Sequence, residues 1–396
     1  MSGRVWSGRA AGACLAALLL GTSCSAPPQR DSAAAAVEQL LERRADAVLD
    51  RDEEAYEATG DPDGEEFDNL GQVPLGAWEY RLVDLDRTPA GATATADLAY
   101  RIDGYDRAPV TVRRTLELVR QGGRWSVAAE RPGSGAGRQL WEQGEVTAVR
   151  GRHSLVLGVG QDKARLARYA ERADRAVPAV RGAWGHALPG RLVVLVPRST
   201  GDMAALLGAS ASAYQGIAAV TTGEAGGTGR APADRIIVNP ESYDVLGDFG
   251  KQVVLTHEAT HVATRAHTSA ATPLWLSEGF ADWVGYRGSG RGARQTAPEL
   301  TRAVRAGQVP QGLPDDEAFG FEGDAGLLAR AYESGWLACR MIAERRGEDA
   351  LRDFYRAVGA HPRRAGAVEG ALRDVLGLTP EEFTEQWRAY ARGQLG

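Results

Sequence analysis

The sequence predicts an α+β protein in two folded parts. The first is a helix-plus-antiparallel-sheet cone; the second has a small mixed sheet, a histidine-bearing helix and a C-terminal helical subdomain. Three observations carry that expectation. Apolar residues keep helical spacing at Val37, Leu40, Leu41, Ala45, Val48 and Leu49, then alternate between Trp78 and Val127. A Pro/Gly-rich run, Arg131-Pro132-Gly133-Ser134-Gly135-Ala136-Gly137, interrupts the pattern. Beyond it helical periodicity returns, broken by short continuous apolar runs only as far as Val238.

Composition sets the outer bounds. With 396 residues, 43% hydrophobic and 25% charged, the chain has an ordinary globular balance and length for two or three domains. A net charge of −6 spread along the sequence argues against nucleic acid as a partner.

Residues 1–24 read as an export signal. Arg4 and Arg9 precede an apolar run from Ala10 to Leu20 that is too short to span a bilayer. The following Leu20-Gly21-Thr22-Ser23-Cys24-Ser25 resembles a bacterial lipoprotein box, which implies lipidation of Cys24 and a membrane protein facing outward. Gly21 stands where that box usually has leucine, and an ordinary cleaved signal, giving a secreted protein, is the alternative. Residues 25–32 then form a polar tether. With Cys14 removed with the signal and Cys24 lipidated, Cys339 is alone in a helical stretch, so no intramolecular disulfide is expected.

Residues 33–131 form the first module. After its helix, an acidic and Gly-rich stretch from Asp61 to Gly71 reads as loop. Trp78, Tyr80 and Leu82 begin one strand; Ala94, Ala96, Leu98, Tyr100 and Ile102 mark the next. Val110, Val112, Leu116 and Leu118 lead through Gln121-Gly122-Gly123 to a return strand with Trp125 and Val127. The arrangement resembles the nuclear transport factor 2-like, or cystatin-like, cone. Lacking histidine and any clear acid pair, the module reads as accessory, for spacing, docking or occlusion.

Residues 132–144 read as a linker and 145–396 as the second folded part. Val146–Val149 and Ser154–Leu157 predict a hairpin, and Leu166 to Trp184 an amphipathic helix containing Pro178. Leu192–Val196, Ile217–Val220 and Ile236–Val238 read as strands, with a Gly-rich loop at 222–229. The next helix is expected to start at Asp248 as its cap and to reach Arg265. Helices are also expected at Pro298–Ala306, from Ala331 onward, and after the Thr379-Pro380-Glu381-Glu382 capping box.

The chemistry sits in His257-Glu258-Ala259-Thr260-His261. Residues four apart share a helix face, so both imidazoles can meet one ion. This is the H-E-x-x-H pattern, in which two histidines bind zinc and the glutamate handles the proton of a zinc-activated water. Partly buried core histidines are the alternative. Downstream, Trp275-Leu276-Ser277-Glu278-Gly279-Phe280-Ala281-Asp282-Trp283 resembles the third-ligand segment of gluzincin metallopeptidases, the thermolysin-like and aminopeptidase N-like enzymes. The resemblance covers roughly 145–396 in three short motifs and implies Glu278 as third ligand, with Asp282 orienting a ligand histidine. His267 is a rival ligand at the metzincin spacing, but that pattern's glycine is Thr264 here and its methionine turn is missing.

Ala331-Tyr332-Glu333-Ser334-Gly335 is similar to the Tyr-Glu-x-Gly segment of aminopeptidase N-type enzymes, which implies an oxyanion-supporting hydroxyl on Tyr332; a buried structural tyrosine is the alternative. By the same resemblance, Gly216–Val220 is the edge strand that pairs with substrate, a plain core strand being the other reading. The expectation is a zinc-dependent peptidase with one zinc per chain, acting on a peptide or protein, with endopeptidase favoured. A metal-binding, non-catalytic lipoprotein that holds a peptide or ligand is the alternative.

Overall fold

The computed structural model describes residues 32–60, 64–89, 91–186, 188, 190–222, 233–320 and 324–396. Residues 1–24, where an export signal and a lipidated Cys24 are expected, and most of the 222–229 loop lie outside the described residues. Helices α1 (Ser32–Asp50), α2 (Glu53–Glu57) and α3 (Gly64–Gln72) precede strands β1 (Leu75–Thr88), β2 (Gly91–Ile102), β3 (Val110–Gln121) and β4 (Arg124–Pro132). These strands form one antiparallel sheet in sequence order. The apolar face of α1 buries Val37, Leu40 and Leu41 against Ala94, Ala96, Leu116 and Leu118. The stretch read as loop after Asp61 is instead largely α3. It is short but buries Phe67 and Leu70, and tertiary packing outweighs its weak local signal.

The second sheet contains β5 (Val146–Arg150), β6 (Ser154–Val159), β7 (Leu192–Val196), β8 (Ala219–Thr221) and β9 (Ile236–Val238). Its order is β5-β6-β7-β9-β8, with β6, β7 and β9 parallel and both edge strands antiparallel to their neighbours. Both faces are covered, which is why the inner strands read as continuous apolar runs. Val156, Val194, Val196, Ile236 and Val238 pack towards α4 (Lys163–Trp184). Leu155, Leu157, Val193, Leu195 and Ile237 meet Trp78, Leu98 and Tyr100 of the first module.

The two parts therefore share a core. The stretch read as a linker contributes Leu140 and Trp141 to it, and Trp141 packs edge-on to Tyr100 at 5.1 Å. Arg235 donates two hydrogen bonds to the Asp106 carboxylate, at 2.6 and 2.7 Å, across the same boundary. The Asn69 side chain bonds the Trp141 carbonyl and the Val146 amide.

The remaining helices are α5 (Thr200–Leu207), α6 (Pro240–Asp244), α7 (Asp248–Thr264), α8 (Leu274–Tyr286), α9 (Ala293–Thr296), α10 (Pro298–Arg305), α11 (Ala325–Arg346), α12 (Glu348–Ala360), α13 (Ala367–Ala371) and α14 (Pro380–Leu395). Three boundaries differ from expectation. Gly247, not Asp248, occupies the cap of α7, and Asp248 sits in the first turn held by Arg172 at 2.7 Å. Helix α11 starts before Ala331, because Asp324 accepts from the Gly326 and Leu327 amides. Strand β8 is shorter than Ile217–Val220 and shifted: Gly216 has φ +79° and Ile217 closes a turn onto Tyr214. Among the described residues no helix is long and apolar enough to cross a membrane.

Candidate metal centre

Helix α7 is anchored by Leu255, Ala259, Val262 and Ala263 in the main core, which fixes the rotation of its other face. That face presents His257 and His261 one turn apart, with their Nε2 atoms 2.9 Å from each other. Helix α8 packs alongside and brings in Glu278: its Oε2 lies 3.2 Å from His257 Nε2 and 3.5 Å from His261 Nε2. One turn later, Asp282 Oδ1 lies 2.9 Å from His257 Nδ1. Only a protonated Nδ1 can bond that carboxylate, so Nε2 is the nitrogen left for a metal when the imidazole is neutral.

The three donor atoms form a triangle with sides of 2.9, 3.2 and 3.5 Å. Tetrahedral zinc with bonds of about 2.0–2.2 Å places its N/O ligands roughly 3.3–3.5 Å apart. The triangle lies within about 0.4 Å of that spacing, so the two histidines and one carboxylate suit one such ion, and all three side chains are largely buried.

The three side chains and Asp282 act strongly on one another's charge. Burial works against charge on His257, but Asp282 and Glu278 outweigh it and raise its pKa well above the imidazole range. Burial pushes Glu278 upward, yet His261 and His257 hold its carboxyl well below the usual range.

Glu258 is 5% exposed, and its Oε2 accepts a 2.8 Å hydrogen bond from the Thr221 hydroxyl. The same hydroxyl lies 3.2 Å from the Glu258 carbonyl, so strand β8 is clamped to α7 beside the histidines. Thr221 escaped the sequence reading; its only signal is its place at the end of an edge strand. Arg265, at the far end of α7, ties that strand further by bonding Asp234 at 2.7 Å and the Thr222 carbonyl.

Two glycines set the helix approach. A Cβ on Gly279 would lie 2.3 Å from the Gly335 carbonyl carbon, and one on Gly335 would lie 2.4 Å from the Trp275 oxygen. Helices α8 and α11 thus cross backbone to backbone immediately next to Glu278. Tyr332 lies on α11, partly buried, with its ring edge-on to Phe319 at 5.1 Å. His267 falls on a turn after α7, edge-on to Trp184 at 5.5 Å, and is not among the converging ligands. Cys339 is buried and unpaired as a thiol within α11.

No protein-family model matches the chain, and neither does any curated protein. Among solved structures, yeast LTA4 hydrolase in complex with bestatin aligns at 10% identity and a TM-score of 0.39. The match covers 82% of this chain but 60% of that one, so the chain spans less than two thirds of its length. A protein of unknown function from Mycobacterium tuberculosis aligns at 15% identity and a TM-score of 0.21. That match covers 26% of this chain and 70% of the other.

Proposed function

We propose that the chain is an extracytoplasmic zinc-dependent peptidase, held at the membrane through Cys24. The observation that carries this reading is the convergence of His257, His261 and Glu278, with Asp282 behind His257 and the buried Glu258 on the same helix. A purely structural ion needs no such carboxylate beside it. Zinc held by the three ligands would supply Lewis acidity and an activated water.

The chain's own residues do the rest. Glu258 accepts the proton from the attacking water and passes it to the leaving amine. Asp282 holds His257 in the ligating tautomer. The β8 edge, paired on one side to β9, offers backbone groups to an extended peptide. Tyr332, in the stretch that resembles the Tyr-Glu-x-Gly segment and on α11, is our candidate for oxyanion support.

Glu258→Gln tests the assignment. The variant is expected to keep its zinc and lose about 100- to 10,000-fold in turnover of a peptide-library substrate. Unchanged turnover with zinc retained would overturn the catalytic role.

A further inference from the structure

The amino end of α7 closes a second, separate site. Asp248 lies nine positions, about 13 Å of helix, before His257. Here α4, α6 and the start of α7 enclose a cleft of about 320 Å³. Four cations, Arg165, Arg168, Arg172 and Lys251, line it against two carboxylates, Asp244 and Asp248. Arg165 pairs with Asp244 and Arg172 with Asp248, which leaves Arg168 and Lys251 with no carboxylate partner among the described residues. In a chain of net charge −6, this is a local excess of positive charge.

A buried donor points the same way. Tyr169 lines the cleft, is 3% exposed and stacks on Tyr243 at 5.0 Å. Its charged neighbour Arg165 can only donate, so the phenol proton finds no acceptor within the described residues. Burial raises the pKa of this hydroxyl, so it stays protonated and able to donate. A buried donor left without an acceptor is costly, and an anion would satisfy it. Helix α7 adds its own open end, because the Gly247 cap has no side chain to accept the first amides.

We propose that this cleft binds a phosphate group, either as a soluble phosphate or as the headgroup of an anionic lipid. Guanidinium, ammonium, phenol and amide donors approach from several directions, which suits a tetrahedral oxyanion with three terminal oxygens. The two cations without carboxylate partners match a dianion. Val245, next to Asp244 and 83% exposed, gives the rim an apolar tip suited to a headgroup layer.

The test uses the full exported chain at constant ionic strength. Inorganic phosphate is titrated by calorimetry, and flotation is measured with phosphatidylglycerol and with phosphatidylcholine vesicles. Arg168→Ala with Lys251→Ala is expected to weaken binding by at least ~10-fold. Tyr169→Phe, which keeps the ring stack, is expected to weaken it several-fold while thermal stability is held. Binding to phosphate alone identifies a soluble source; retention on phosphatidylglycerol but not phosphatidylcholine identifies a headgroup. Absence of both, or binding unchanged in these variants, overturns the proposal. Either result leaves the peptidase reading untouched, because none of the substituted residues contacts the histidine site.

Discussion

The hydroxyl of Thr221, a residue only 2% exposed, is 2.8 Å from one carboxylate oxygen of the buried Glu258. A buried carboxylate with a fixed donor on one oxygen keeps a defined orientation, and a proton acceptor needs that more than it needs strength. Thr221→Val keeps the shape and removes the donor. It is expected to lower kcat by roughly 10-fold with KM little changed and zinc retained, while Thr221→Ser restores most of the rate. Steady-state kinetics on all three proteins checks this; equal kcat values would remove Thr221 from the site. His257, Glu258 and His261 were legible in the sequence because helical spacing alone places them on one turn. Thr221 was not, since it comes 37 residues earlier on a strand whose start depends on the positive φ of Gly216.

At the scale of elements, the pairing of α7 with α8 brings His257, His261 and Glu278 together, and the crossing of α8 with α11 fixes where Glu278 stands. The glycines at that crossing leave no room for a methyl group on either helix. Gly335→Ala is expected to cost about 1–3 kcal/mol and to displace α8, lowering zinc affinity as well as the thermal midpoint. Metal titration alongside thermal unfolding measures both; an unaltered midpoint would show that the helices can separate freely. The strand and helix runs of this half were readable from periodicity, and several boundaries fell within a few residues. Capping decided the rest: Asp324 pulls the start of α11 forward, and Gly247 displaces Asp248 from the cap of α7.

For the molecule as a whole, the first module covers one face of the second sheet. Trp78, Tyr100 and Trp141 seal against Leu157, Val193 and Leu195, and the Arg235–Asp106 pair locks the boundary. The sequence shows both units but not this union, because the Pro/Gly-rich stretch looks like a flexible spacer while Leu140 and Trp141 behind it pack inward.

Inside the first module, Arg44 and Arg114 are buried with Glu130, and Arg114 also pairs with Glu142. Glu66 nearby has its pKa pushed up to about 8 by burial, then by Glu130 and Glu142, against the pull of Arg114 and Arg44. Between the ordinary carboxyl value of 4.5 and about 8, the folded chain holds a proton that the unfolded chain has released. This contribution to stability is therefore full below that range and lost as pH rises through about 8. Thermal midpoints from roughly pH 5 to pH 9 are expected to fall less steeply in Glu66→Gln than in the parent chain. Parallel slopes in the two proteins would contradict it.

The most direct test of the metal centre is zinc content by elemental mass spectrometry, on residues 25–396 dialysed without chelator and on the His261→Ala variant. The expected result is close to one zinc per parent chain and a large loss in the variant. A folded parent chain that carries no zinc and fails to take it up on reconstitution would contradict the assignment of His257, His261 and Glu278.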